Sequence, residues 1–252
     1  MTALRVDGVS VAFGGVRALS GVSLAVTAGE VCGVIGPNGA GKTTLFDAIS
    51  GLCRSSAGRI LLGGTDVTRL GAVRRARLGL RRTFQRQQLF GRLTVLENLL
   101  AATEWRGGGG GLAADLLGLP SRRRVERRRR ERCRVVLEAC GLADRADEYA
   151  GNLPVGLARL VEVARAVVDE PAVLLLDEPT SGLDAAESAR LAGTIARLAA
   201  TGATAILLVE HDVGFVASAC SRLVVLDLGR VIADGSAAAV RADPRVRAAY
   251  LG

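Results

Sequence analysis

The chain has 252 residues, 49% of them hydrophobic, and a formal net charge of +8 that arginine supplies almost alone. A chain of that length and apolar content buries a substantial core, so a disordered chain is excluded and one large domain, or a domain carrying a lobe, is the expected organisation. Its apolar runs are strand-length, far short of the roughly 20 residues a membrane span needs. The opening MTALRVDGVSVAFGG has no charged, apolar and cleavage regions in the order of a signal peptide, so synthesis and residence in the cytosol are expected.

In chain order, Leu4 to Ala12 and Gly21 to Ala28 alternate apolar with small or polar residues and predict antiparallel strands. The apolar run from Glu30 to Ile35 predicts a buried strand that ends on a glycine loop, and TTLFDAISGL then has helical spacing up to Gly51. Gly58 to Leu62 with the following GGTD turn predicts a further hairpin. The middle of the chain changes character: Leu93 to Glu104 reads as a helix, Gly107 to Gly111 as a glycine tract, and Arg122 to Cys140 as a long charged helix. From Ala158 onward helices and apolar strands alternate: helix Ala158–Val168, strand AVLLLD, helix Ala185–Ala200, strand Ala203–Val209, helix Val213–Cys220, strand Leu223–Leu226. That alternation predicts a mostly parallel α/β sheet with an inserted helical lobe.

Five cysteines, Cys32, Cys53, Cys133, Cys140 and Cys220, have no C-x-x-C spacing and read as reduced thiols. The arginine run from Arg122 to Arg134 could touch nucleic acid or anionic lipid headgroups, but no aromatic interleaves it and the arginine bias is chain-wide, so a solvated helix face is the favoured reading.

Arginine fills every basic position except Lys42, and the only histidine is His211. Lys42 closes the loop Gly36-Pro37-Asn38-Gly39-Ala40-Gly41-Lys42-Thr43-Thr44, which matches G-x-x-x-x-G-K-[ST] between a predicted strand and a predicted helix. Its glycines let backbone N–H groups approach phosphate oxygens, and the helix that follows adds its positive end. Lys42 is placed to reach the β and γ phosphates of ATP, and the Thr43 hydroxyl to bind magnesium. Asp177 ends the apolar strand AVLLLD, where a sheet delivers ligand-binding groups, and is expected to hold magnesium through water. Glu178 beside it is free to orient or deprotonate the attacking water. His211 follows a third strand and emerges at the same sheet edge.

These motifs, in this order over the whole chain, resemble an ATP-binding-cassette (ABC) ATPase. The resemblance implies a P-loop NTPase fold: a mostly parallel core with an N-terminal antiparallel β subdomain (about 1–90 and 160–252) and a helical subdomain (about 91–159). It assigns Gln85 in RRTFQ to the family's Q-loop, touching magnesium and coupling to a transmembrane partner. It assigns Phe13 to the adenine-stacking aromatic, Ser181-Gly182-Leu183-Asp184 to the D-loop, and His211 to the switch histidine. FGGVRAL, LTVLENLL, VEHDVGFV and the ending DPRVRAAYLG resemble the ATP-binding subunits of branched-chain amino-acid importers, with cassettes for urea and short amides close by. The family signature falls on Leu153-Pro154-Val155-Gly156-Leu157, where proline and leucine replace the usual serine and glutamine. Gly156 and the N-terminus of a helix expected from Leu157 to Val168 remain to meet a phosphate. The resemblance therefore implies ATP and magnesium as cofactors, transmembrane permease subunits and a second cassette as partners, and a solute-binding protein acting indirectly. It implies a peripheral position on the cytoplasmic face of the membrane. One of the two composite ATP sites is expected to be weakened by the altered signature.

Overall fold

The computed structural model describes residues 1–84, 88–104 and 120–251. It divides into two compact units, Met1–Gln85 with Glu170–Gly252, and Arg86–Asp169.

The first unit holds two sheets. β1 (Thr2–Phe13) and β2 (Val16–Thr27) form a hairpin whose turn residues Gly14 and Gly15 have φ of +52° and +117°, values open to glycine without strain. With β4 (Ala57–Leu62) and β5 (Thr65–Asp66) they make an antiparallel sheet in the order β2-β1-β4-β5. Leu4, Val6, Val9 and Val11 are buried along β1, and the register irregularity between Val6 and Val9 is what lets the buried positions change parity from even to odd.

The second sheet runs β10-β9-β3-β8-β7-β6, built from β3 (Val31–Ile35), β6 (Leu80–Arg82), β7 (Val173–Asp177), β8 (Ala205–Val209), β9 (Arg222–Asp227) and β10 (Arg230–Gly235). From β9 to β6 the pairing is parallel, and only β10 joins antiparallel. β3, β7 and β8 are buried at every residue, which is why they read as continuous apolar runs instead of alternating ones. α1 (Lys42–Ser50) contributes Leu45, Phe46 and Ile49 to a core that also contains residues from both sheets.

α1 stops at Gly51, whose φ of +79° forms a left-handed cap. Its last turn is also held by Arg75 of α2 (Ala72–Arg77), a fully buried side chain. The Arg75 guanidinium donates to the carbonyls of Ala48 (2.6 Å) and Ile49 (2.7 Å) at the α1 terminus, and to those of Leu70 (2.8 Å) and Thr68 (3.0 Å). A buried cation with no carboxylate beside it is thus compensated by four carbonyls, two of them at the negative end of a helix.

The second unit is helical. α3 (Val95–Thr103) begins with a capping box between Thr94 and Glu97. α4 (Pro120–Ala139) turns Cys133 and Leu137 inward, while Arg124, Arg127, Arg128, Arg132 and Arg134 are exposed. α5 (Val155–Val167) carries a buried Arg159–Glu162 pair at 2.8 Å, and Glu162 also accepts from the Gln88 N–H at 2.7 Å. Asn98, fully buried, is satisfied by Phe90 and by the Leu93 and Thr94 carbonyls. The chain then returns to the first unit through β7, α6 (Ala185–Ala200), β8, α7 (Val213–Ala219), β9, β10, α8 (Ala237–Ala242) and α9 (Pro244–Leu251). Among the described residues no helix is long and apolar enough to cross a membrane.

Two local expectations need correction. α5 starts at Val155, two residues before the expected Leu157, because Pro154 fits the helix entrance, with φ −55° and ψ 154°. β6, absent from the sequence reading, forms the sheet edge from Leu80, Arg81 and Arg82, which carry no strand-like apolar pattern.

Candidate functional site

Parallel register brings the motif-bearing strand ends together. Val34 of β3 pairs beside Val209 of β8, and Val209 pairs beside Asp177 of β7. With neighbouring strands about 4.8 Å apart, the three ends span about 10 Å along one sheet edge. The phosphate-type loop leaves β3 there, Asp177 and Glu178 close β7, and Glu210 and His211 follow β8.

In the loop, two glycines are required by close approach. A Cβ on Gly36 would lie 2.1 Å from the Leu226 carbonyl oxygen, and one on Gly41 would lie 2.7 Å from that of Ala18. Gly41, at φ +102°, is also the residue that turns the loop into α1. Asn38 and Gly39 are exposed at the crown, Pro37 is half-buried, and Ala40 is tucked inside. Lys42 is buried and curls back over the loop, its Nζ donating to the carbonyls of Gly36 (2.7 Å) and Pro37 (2.9 Å). Burial pulls its pKa below the usual lysine value, and the negative charge of Glu178 works against that shift. A buried ammonium held by carbonyls alone is primed to gain from an anion. The Thr43 side of the first helical turn is exposed and that of Thr44 half-buried. The first turn of α1 contains no acidic side chain to compete for its N–H groups.

Asp177 is buried to within 4% of side-chain exposure and sits at the centre of a polar cluster. Its Oδ2 accepts from Arg82 Nη2 at 2.9 Å, and its backbone N–H donates to Thr83 Oγ1 at 3.4 Å. Its Oδ1 is buried and has no hydrogen-bond partner among the described residues. Such an unsatisfied carboxylate oxygen suits a magnesium ion or its bound water, a hard cation that prefers oxygen. Among the described residues no group of three His, Cys, Asp or Glu side chains forms a self-contained metal site, so an ion here would draw ligands from hydroxyl, water and phosphate as well.

Glu178, half-buried, has a φ of +44°, uncommon for a residue with a side chain. The backbone holds it there, its N–H donating to the Val209 carbonyl at 2.9 Å. The turn continues with Ser181 N–H to Glu178 O (3.1 Å) and Leu183 N–H to Thr180 O (2.9 Å). His211 is exposed, and its Nδ1 lies 3.6 Å from Glu210 Oε2.

Glu210, which the motif reading passed over, organises both loops. It is completely buried; its Oε1 accepts from the Thr180 N–H (2.8 Å) and from the Thr180 hydroxyl. Its Oε2 accepts from the His211 N–H (3.0 Å) and the Asp212 N–H (3.5 Å). The only sequence signal for it was a carboxylate at the end of an otherwise apolar strand. Arg82 was passed over as well, although it stands in the RRTFQ that carries Gln85.

The other expected residues are placed as follows. Phe13 ends β1, 55% exposed, an aromatic left on the surface beside a glycine turn. Asp184, exposed, forms a capping box with Glu187 at the start of α6, and Gly182 turns at φ +81° between Ser181 and Leu183. Leu153-Pro154-Val155-Gly156-Leu157 enters α5 in the second unit, with Gly156 buried in its first turn. Gln85 lies outside the described residues, as does the glycine tract 107–111. None of the five cysteines is in a disulfide, and burial pushes the thiols of Cys32 and Cys220 up to about 12 and that of Cys133 up to about 11.

A glycine loop between a buried parallel strand and a helix, with a lysine inside it and an acidic strand end two strands away, defines a P-loop nucleotide-binding protein. Comparison with known proteins narrows this. The ABC transporter family matches residues 19–181, and the family described as branched-chain amino acid ATP-binding cassette transporter matches residues 230–252. The high-affinity branched-chain amino acid transport ATP-binding protein LivG of Escherichia coli K12 is 40% identical over 99% of this chain and 97% of its own length. BraF of Pseudomonas aeruginosa, of the same description, is 39% identical over the same shares. The lipopolysaccharide export system ATP-binding protein LptB of Haemophilus influenzae is 33% identical over 100% and 98%. Among solved structures, a nucleotide-free ATP-binding cassette from an ABC transporter superposes with a TM-score of 0.84 at 32% identity, covering 100% of both chains. A cassette in its ADP conformation gives 0.85 at 32% identity, covering 100% of this chain and 99% of the other. The chain belongs to the ABC transporter family, as an ATP-binding subunit with the ABC ATPase fold.

Proposed function

We propose that this subunit hydrolyses ATP in a magnesium-dependent reaction to drive import of branched-chain amino acids, or of related small polar solutes such as urea or amides. The substrate class rests on the descriptions of LivG and BraF and on the match at residues 230–252. The chemistry rests on one observation above the rest, the alignment of Val34, Val209 and Asp177 that gathers three motif ends at one sheet edge.

The loop Gly36 to Thr44 wraps the phosphates of ATP with backbone N–H groups, and Lys42 exchanges its two carbonyl acceptors for β and γ phosphate oxygens. Phe13 stacks on adenine. Thr43, Gln85 and, through water, Asp177 would hold magnesium, which neutralises charge on the phosphate oxygens. Glu178 orients the attacking water and accepts its proton, and His211 contacts the γ phosphate or that water. Catalysis is chiefly positioning and charge stabilisation.

The partners in this reading are transmembrane permease subunits, a second cassette in a heterodimer or homodimer, and, indirectly, a solute-binding protein, with the chain peripheral on the cytoplasmic membrane face. Nucleic acid has no part in it. Signature residues Leu153 to Leu157 would face the partner's nucleotide; Pro154 has neither hydroxyl nor N–H, and Leu157 has no amide, so the site they complete is the weaker one. Ser181 to Asp184, the D-loop, lies between the two sites. The site built on Lys42, Asp177, Glu178 and His211 is the active one. Glu178→Gln in the assembled transporter is expected to bind ATP and stop turnover; turnover at the unsubstituted rate would contradict this assignment.

A further inference from the structure

The polar cluster around Asp177 contains a cation that neither the motifs nor the family assignment uses. Arg82 lies on β6, at the sheet edge beside β7, and its side chain is 7% exposed. One arm, Nη2, donates to Asp177 Oδ2 at 2.9 Å. The other, Nη1, donates to Asp47 Oδ1 at 2.6 Å and to Ser50 Oγ at 3.0 Å, both on α1. The guanidinium carbon sits 5.6 Å from the ring centre of Phe46 and 5.2 Å from that of Phe84. A single side chain thus ties the helix that follows the phosphate loop to the carboxylate at the end of β7, from a strand adjacent to the latter.

Arginine is the side chain whose planar fork can do this, since a lysine presents one point charge that cannot hold acceptors on two elements in fixed directions. The consequence lies in what is left over. With Oδ2 taken by Arg82, the carboxylate's rotation is fixed and Oδ1 is the oxygen left without a partner among the described residues. Asp47 and Ser50 fix the guanidinium in turn, so the Asp177 rotamer is referenced to the same helix whose first turn carries Thr43.

Resting on the magnesium role given to Asp177 above, the geometry points to Arg82 as a positioning residue for the metal: it commits one carboxylate oxygen of Asp177 and presents the other to the ion's water. It touches neither nucleotide nor metal. Partners of a direct metal ligand change metal affinity by about 10- to 100-fold when lost, and Arg82, one step further out because Asp177 reaches the ion through water, is expected at the low end of that range.

The test is calorimetric titration of the purified full-length chain with ADP, once in EDTA and once in magnesium, for the wild type, Arg82→Lys and Asp47→Asn, with thermal unfolding recorded for each. The expected result is that Arg82→Lys binds ADP in EDTA as the wild type does but loses about tenfold or more of the tightening that magnesium brings. Asp47→Asn, which loosens Arg82 while leaving its bond to Asp177, is expected to lose a smaller part. Manganese bound with ADP, followed by electron paramagnetic resonance, should weaken in the same order. Variants that keep the full magnesium effect overturn the inference, and so do variants whose affinity falls equally with and without the metal, because that is general damage. A wild-type chain that gains nothing from magnesium overturns the metal site itself along with the role of Arg82.

Discussion

Glu210 carries a consequence at the scale of single residues. Its two oxygens accept four donors from the loops after β7 and β8, so replacing one oxygen by an amide sets a donor against the N–H groups it served. Glu210→Gln is expected to leave ATP binding intact, because Lys42 and the loop are untouched, and to lower kcat about 100-fold by displacing Glu178 and His211 relative to the γ phosphate. Equilibrium binding and steady-state kinetics on the same preparation check this; a matching loss of ATP affinity would contradict it. Glu210 and Arg82 also mark where reading the sequence stopped. The position of Lys42, Asp177, Glu178 and His211 at one sheet edge was legible because short motifs at predicted strand ends fix their setting. The partners of Arg82 lie 32, 35 and 95 residues away, and Thr180, which ties Glu210 to the loop after β7, lies 30 residues from it, separations that no local pattern encodes.

Elements were legible in proportion to how far apolar pattern decided them. β3, β7 and β8 are buried on both faces and read as uninterrupted apolar runs, and α6 runs from Ala185 to Ala200 as its spacing predicts, opened by a capping box between Asp184 and Glu187. β6 was missed because Arg81 and Arg82 supply no strand signal, and its place is set by pairing with Val173 to Leu175. α5 began early because proline at a helix entrance costs no hydrogen bond. The same scale explains Arg75, an arginine in a short helix that nothing in the sequence distinguishes from its neighbours Arg74 and Arg77. It closes the last turn of α1, so Arg75→Met should destabilise the chain by about 3 kcal/mol through the carbonyls that lose its donors, that of Ala48 alone keeping the Gly51 N–H among the contacts described. Urea unfolding measures this, and a loss below about 1 kcal/mol would mean that the carbonyls find water.

At the scale of the molecule, a sheet-based unit carries the nucleotide-type loop and the acidic strand ends, and a helical unit carries the altered signature. In the sequence, arginine-rich helical spacing interrupts the α/β pattern over the middle of the chain. The helix α5 belongs entirely with the helical unit, where its Glu162 holds the Gln88 backbone. In the proposed reading the Lys42 site is completed by the signature of a second cassette, so activity is expected to depend on assembly. The most direct measurement is magnesium-dependent ATP hydrolysis by the purified chain, alone and combined with the membrane subunits encoded beside it, with Lys42→Ala as control. Hydrolysis that rises steeply with those subunits and vanishes in Lys42→Ala is the predicted result. Hydrolysis indifferent to them, or stimulated by nucleic acid in their place, would contradict the account.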